Sequence, residues 1–209
     1  MPTRPMLAPS LHLRLLSLLL GMFLASRSVA QPVVWPASAG GNDHMYQAFY
    51  CALPGISWND ADAYVSSAGH DWHLATITSA AENAFVYDLV DGDPRYWNCC
   101  SSGNSAGPWL GGISSCNGCN DWAWVTGEPW QYTNWGPLEP FGNGDALGLF
   151  GYQAQMGPHW NDVPRTRAEF GYVIECPVGG DCPELQIAPG CALVPVRPGT
   201  WGLLKALHR

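Results

Sequence analysis

Trp160-Asn161-Asp162 sets a large apolar ring beside two side chains that carry hard oxygens. The indole should anchor in a core and leave the Asn and Asp at the end of a short strand. Glu139, about twenty residues upstream, can bring a third oxygen. Hard oxygens held by loops suit Ca²⁺, which takes about six to eight of them. Asn and Asp can equally satisfy backbone groups in a turn with no metal at all.

Other reactive residue types form weaker patterns. His70 and His73 stand three apart beside Asp71. A metal site is conceivable there, against the plainer reading of loop histidines. No Ser with a matched His and Asp stands in a nucleophile context. Asp91 and Asp93 flank a turn before Pro94 and read as turn formers. The chain is therefore expected not to be an enzyme.

The elements that must position these residues are partly legible. Tyr46 to Cys51 reads as a first strand. Trp58, Ala61, Tyr64 and Val65 recur at helical spacing, and Gly69 should stop that helix. Ser79 is a good N-cap, and Glu82 three residues later completes a capping box. The second helix then turns Phe85, Val86 and Leu89 to the core and ends near Asp91-Gly92. From Pro94 to Leu149 the chain is rich in Gly, Pro, Asn and Trp, with little periodicity. Gly171-Tyr172-Val173-Ile174-Glu175 reads as a late strand. Most of the eleven tryptophans should be core pillars, since each buries a large area. Tyr132, Trp135, Phe141 and Phe150 are alternative stacking faces for a sugar ring.

In this order the segments resemble a C-type lectin-like domain over roughly residues 44 to 176. The resemblance rests on His73-Leu74-Ala75-Thr76-Ile77, Ser79-Ala80-Ala81-Glu82-Asn83-Ala84-Phe85, Trp109-Leu110-Gly111-Gly112, Trp122 to Pro129, Tyr132-Thr133-Asn134-Trp135 and Trp160-Asn161-Asp162. It implies an α+β fold: two helices, small antiparallel sheets joining the termini, and a long irregular loop. It also implies a calcium-dependent carbohydrate site. Carried over by position, Glu139 is the first ligand, aimed by a cis Pro140, and Asn161 and Asp162 are the last two. Phe141 stands where the family has an Asn ligand. The downstream acidic position falls on Gly144 or Asp145, with Asn143 a substitute. The implied metal set is Glu139, Asn143, Asp145, Asn161 and Asp162. The implied ligand-binding set is Glu139, Trp135, Phe141, Asn161 and Asp162. A glycan or glycoprotein is the expected partner. Asp162→Ala is expected to remove a calcium response and leave the fold largely intact. The alternative is a metal-free domain that binds protein or serves in an extracellular matrix.

The rest of the chain bounds these readings. Arg4 and Arg14 precede an apolar run from Leu15 to Leu24, and Ser28-Val29-Ala30 offers a cleavage site. Residues 1–30 therefore read as a signal peptide of a secreted protein, 31–43 as a Pro/Gly/Ala/Ser-rich leader, 44–176 as the domain and 177–209 as a Pro/Gly-rich tail. Removing Arg4, Arg14 and Arg27 from nine basic residues leaves six against seventeen acidic, a formal charge of −11. That charge disfavours nucleic acid and anionic membranes. Residues from Val194 to Leu204 look like a damaged PEP-CTERM sorting tail of a divergent bacterial relative, with no stretch long enough for a stable membrane span.

Eight cysteines follow the signal, and export makes disulfides the default. The family's usual cysteine positions hold Val65, Ile174, Ala146 and Val163. The resemblance sets first and last strands side by side, which implies Cys51 with Cys176. Cys99 and Cys100 are expected to pair with Cys116 and Cys119, and Cys182 with Cys191. A zinc site from the middle four cysteines is the rival arrangement.

Overall fold

A computed structural model describes residues 32–99, 103–152, 155–185 and 187–193. In chain order the elements are β1 (Val33–Val34), β2 (Met45–Cys51), β3 (Ile56–Ser57), α1 (Trp58–Ser67), β4 (His73–Leu74), α2 (Ala80–Asp88), β5 (Asn98–Cys99), β6 (Ser105–Ile113), β7 (Ala123–Trp124), β8 (Ala146–Gly151), β9 (His159–Val163), β10 (Ala168–Glu169), β11 (Gly171–Cys176) and β12 (Cys191–Leu193). The signal peptide and the sorting-tail motif expected from the sequence lie outside the described residues. No helix among the described residues is long and apolar enough to cross a membrane.

The second helix starts at the cap the sequence predicts, and the first has a Ser cap of the same kind. Ser57 accepts the Asp60 N–H and Ser79 accepts the Glu82 N–H, each satisfying a donor that the first turn leaves free. Gly69, at φ +71°, follows the last turn of α1. Half of the expected capping box is different. The Glu82 carboxylate accepts from Thr78 N at 2.6 Å and Thr78 Oγ1 at 2.8 Å, rather than from the Ser79 N–H. Its other oxygen lies 2.6 Å from the Tyr46 hydroxyl, which also lies 2.9 Å from Glu175. Glu175 in turn accepts from Thr76 N and Oγ1. This buried network ties the start of α2 to β2 and β11.

The main sheet runs β1-β2-β11-β6-β8-β9. β2 and β11 pair antiparallel over six residues, Gly171↔Tyr50 to Cys176↔Met45, and join the two ends of the domain. β11 and β6 meet as a parallel pair at Tyr172↔Trp109. Tryptophans bridge the elements as expected of pillars. Trp58 Nε1 donates to Leu110 O, and Trp109 Nε1 donates to Ile56 O.

The domain is larger than 44–176. Val33 and Val34 pair with β2, and Trp35 is 4% exposed and stacks on Phe85 at 5.4 Å. The supposed leader is thus part of the core from Val33 onward, because a buried indole overrides its loop-like composition. The tail to Leu193 also belongs to the fold. Leu185 and Ala188 are buried, and β12 pairs with β2 in the register Cys191↔Cys51.

That register corrects the expected disulfides. Cys51 bonds to Cys191, not Cys176, because β12 lies across β2 and brings the two residues opposite each other. Cys176 bonds instead to Cys182 just beyond its own strand. Cys116 bonds to Cys119 and to neither Cys99 nor Cys100. These bonds also remove two of the four ligands of the rival zinc arrangement. The pairing of Cys100 lies outside the described residues.

Candidate functional site

The site is built on β8 and β9. Gly148↔Asn161 and Leu147↔Asp162 are register partners there. Trp160, the second residue of β9, is fully buried, and its indole N–H donates to Asn83 Oδ1 at 2.7 Å. Tyr132, Trp124, Trp130 and Trp135 surround it at 5.5–5.9 Å between ring centres. The chain at 134–136 runs beside β9 through Trp160 N→Asn134 O and Gly136 N→Trp160 O, both 2.9 Å. The Trp therefore does what its size predicts. It pins the long loop so that Glu139 arrives next to Asp162.

From Leu138 the loop turns outward. Leu138 has φ +70° and the Glu139-Pro140 peptide is cis, as the resemblance implied. Leu138 is 88% and Phe141 72% exposed. The backbone then folds over Asp162, which is only 1% exposed. Phe141 N donates to Asp162 Oδ1 at 2.8 Å. Gly142, Asn143 and Gly144 N–H groups donate to Oδ2 at 3.0, 2.8 and 2.8 Å. An ionised carboxylate offers about four lone-pair positions. Four consecutive peptides converge on these. Gly144 is required because a Cβ there would fall 2.1 Å from Val163 N.

The other candidates divide. Glu139 stands beside Asp162 and accepts the Phe141 N–H on Oε2 at 2.9 Å. Burial, and then the adjacent Asp162 carboxylate, push its carboxyl up to about 7. Asp145 is drawn to Arg165, whose Nε donates to Oδ2 at 2.6 Å and whose backbone N donates to Oδ1 at 2.8 Å. Asn143 is exposed, and Asn161 is half-buried on β9. Trp135 is a partly buried member of the aromatic cluster. The structure thus brings Glu139 and Asp162 together with Asn161 nearby in sequence, and commits Asp145 elsewhere.

This donor set does not fit a calcium ion. Three peptide N–H dipoles point at Asp162 Oδ2, where a cation would meet their positive ends. The Arg165 guanidinium already neutralises Asp145. Phe141 brings no oxygen side chain. A hard cation needs about six to eight oxygens, and no group of three or more His, Cys, Asp or Glu side chains placed to hold a metal ion forms among the described residues. The two histidines read as loop residues also find separate partners. His70 Nδ1 lies 2.9 Å from Asp181, while His73 Nδ1 faces Leu74 O.

Sequence reasoning missed the opposite wall. A cleft of about 300 Å³ opens between residues 118–122 and 140–144, lined by Gly118, Asn120 and Trp122 on one side and Pro140, Gly142, Gly144 and Asp162 on the other. Asp121 Oδ1 holds that wall by accepting from Ser114 Oγ at 2.6 Å and Ser115 N at 3.0 Å. The closely spaced Cys116 and Cys119 were the signal that this loop is a rigid unit.

The architecture is the C-type lectin-like fold. The structure of human lithostathine superposes with a TM-score of 0.51 at 22% identity, covering 70% of this chain and 88% of that one. In sequence, the chain is 28% identical over 145 residues to the type-2 ice-structuring protein of Brachyopsis segaliensis, covering 68% of this chain and 71% of the relative. It is 29% identical over 125 residues to a lectin of Pleurodeles waltl, covering 58% of this chain and 66% of the relative. No protein-family model matches the chain.

Proposed function

We propose that this chain is a secreted carbohydrate-binding module of C-type lectin-like fold that engages its ligand without calcium. One observation carries the metal-free part. The Asp162 carboxylate, which the resemblance makes one of the calcium ligands, is enclosed by four peptide N–H donors. Similarity to a lectin supports the carbohydrate part. The disulfides of the described cysteines support an oxidising, extracellular setting.

The test is glycan-array binding of the folded domain in excess EDTA and in millimolar calcium, with melting temperature read alongside. Binding that is equal in both, at an unchanged melting temperature, supports the proposal. Retention that needs calcium returns the site to Glu139, Asn161 and Asp162 and overturns it. A second reading, a metal-free module for a protein partner, draws on exposed Leu138 and Phe141 at the loop tip. Apolar side chains this exposed at a pinned turn suit a protein contact.

A further inference from the structure

Resting on the metal-free glycan reading, we propose that a single neutral sugar ring seats in the cleft between residues 118–122 and Pro140–Gly142. Its apolar face lies on Trp122, and its hydroxyls bond to the Asn120 amide and the peptide groups of both walls. This places recognition across the cleft from the residues that the sequence pattern singles out.

Four observations point to this occupant. The first is size, since about 300 Å³ lies at the lower end for ligand pockets, which suits one ring rather than an extended chain. The second is Trp122 itself, which lines the cleft while its ring is held from behind. Trp130 stacks on it at 5.8 Å and 25°, and Trp135 meets it edge-on at 4.9 Å. A ring fixed in this way loses little freedom on binding.

The third is Asn120, an exposed non-glycine residue held at φ +54°. Such backbone strain gathers at ligand clamps, and the amide offers both donors and an acceptor, as a polyhydroxylated ring requires. The fourth is charge. Neither Lys nor Arg is among the residues lining the cleft, so an anionic sugar would meet no counter-charge there. The Asp162 oxygens are already bonded, so a cation gains little.

The walls are set before ligand arrives. The Cys116–Cys119 bond and the Asp121 contacts hold one side. The Asp162 carboxylate holds the other. The two meet at Gly118, where a Cβ would come within 3.3 Å of Gly142 O.

The experiment is saturation-transfer NMR in EDTA with the methyl glycosides of glucose, galactose and mannose and with N-acetylglucosamine. It uses the oxidised wild type, Asn120→Gly, Trp122→Phe, Trp122→Ala and Phe141→Ala. Asn120→Gly removes the amide and relaxes the backbone, so it keeps the fold. Near-UV circular dichroism checks the Trp122 variants. At least one probe is expected to bind the wild type and Phe141→Ala alike, about tenfold more weakly to Asn120→Gly, and not detectably to Trp122→Ala, with Trp122→Phe between. The tenfold loss is the cost of about one hydrogen bond. Sugar binding that survives both Asn120→Gly and Trp122→Ala overturns the cleft but leaves the glycan reading intact. Loss in Phe141→Ala with retention in Asn120→Gly moves the site to the loop tip. Binding only with added calcium, or to no probe while the array is also silent, overturns the function reading and the cleft together.

Discussion

Gly144 donates its peptide N–H to Asp162 Oδ2 at 2.8 Å, where the long loop passes so close to β9 that no Cβ would fit. A carboxylate on a strand thereby organises a loop that has no regular structure of its own. The loop's shape is held by one acceptor and four donors.

Asp162→Ala should consequently destabilise the domain. The simple carry-over of a calcium site predicted an intact fold, but here the change leaves the Gly142, Asn143 and Gly144 N–H groups without their acceptor, while the Phe141 N–H keeps Glu139 Oε2. Buried donors left unpaired cost about 1–3 kcal/mol each, and partial rehydration of the loop leaves a net loss of about 2–4 kcal/mol. Urea unfolding at neutral pH measures it. A change under about 0.5 kcal/mol, ordinary for a surface substitution, would remove this role.

Glu169 predicts a pH dependence. It is fully buried on β10, and Arg167 Nε lies 3.0 Å from Oε1, yet neither carboxylate oxygen accepts a hydrogen bond. Burial pushes its carboxyl up to about 7, and Arg167 only partly offsets this. A folded-state value raised above the unfolded one gives stability that is present at low pH and lost as pH rises through about 7. Glu169→Gln mimics the protonated form. It should be near neutral at pH ~5 and stabilise on the order of 1–3 kcal/mol at pH ~8. Melting curves of both proteins across that range check the sign. Equal slopes would contradict it.

The three described disulfides should open in a set order. Cys116 and Cys119 are both exposed and only three residues apart, whereas Cys51 and Cys176 are buried. Mild reductant followed by alkylation and mass mapping should label Cys116 and Cys119 first. Their loss should shift melting less than loss of Cys51–Cys191, which closes a span of 140 residues and is worth roughly 4–5 kcal/mol on chain-entropy grounds.

Trp35 tests where the domain begins. Trp35→Ala removes a buried ring stacked on Phe85 and should cost about 3–5 kcal/mol. A near-neutral result by chemical denaturation would restore residues 31–43 to the status of a leader.

The sequence by itself determined what depends on short-range physics. Ser79 caps a helix because its hydroxyl reaches an N–H three residues on. Trp58, Val65, Phe85 and Val86 are buried because their spacing matches a helix face. The ordered series of motifs from His73-Leu74 to Trp160-Asn161-Asp162 was enough to indicate the fold. What only the tertiary structure decided is which groups face one another across long separations. Asp145 pairs with Arg165 and Asp162 with the peptides of 141–144 because loop length and β8–β9 register bring them together, and neither is visible in residue type. Cys51 takes Cys191 because β12 crosses β2, a placement no local signal encodes. Residue type names the oxygen and sulfur atoms available, and the approach of strands and loops decides which partner each one meets.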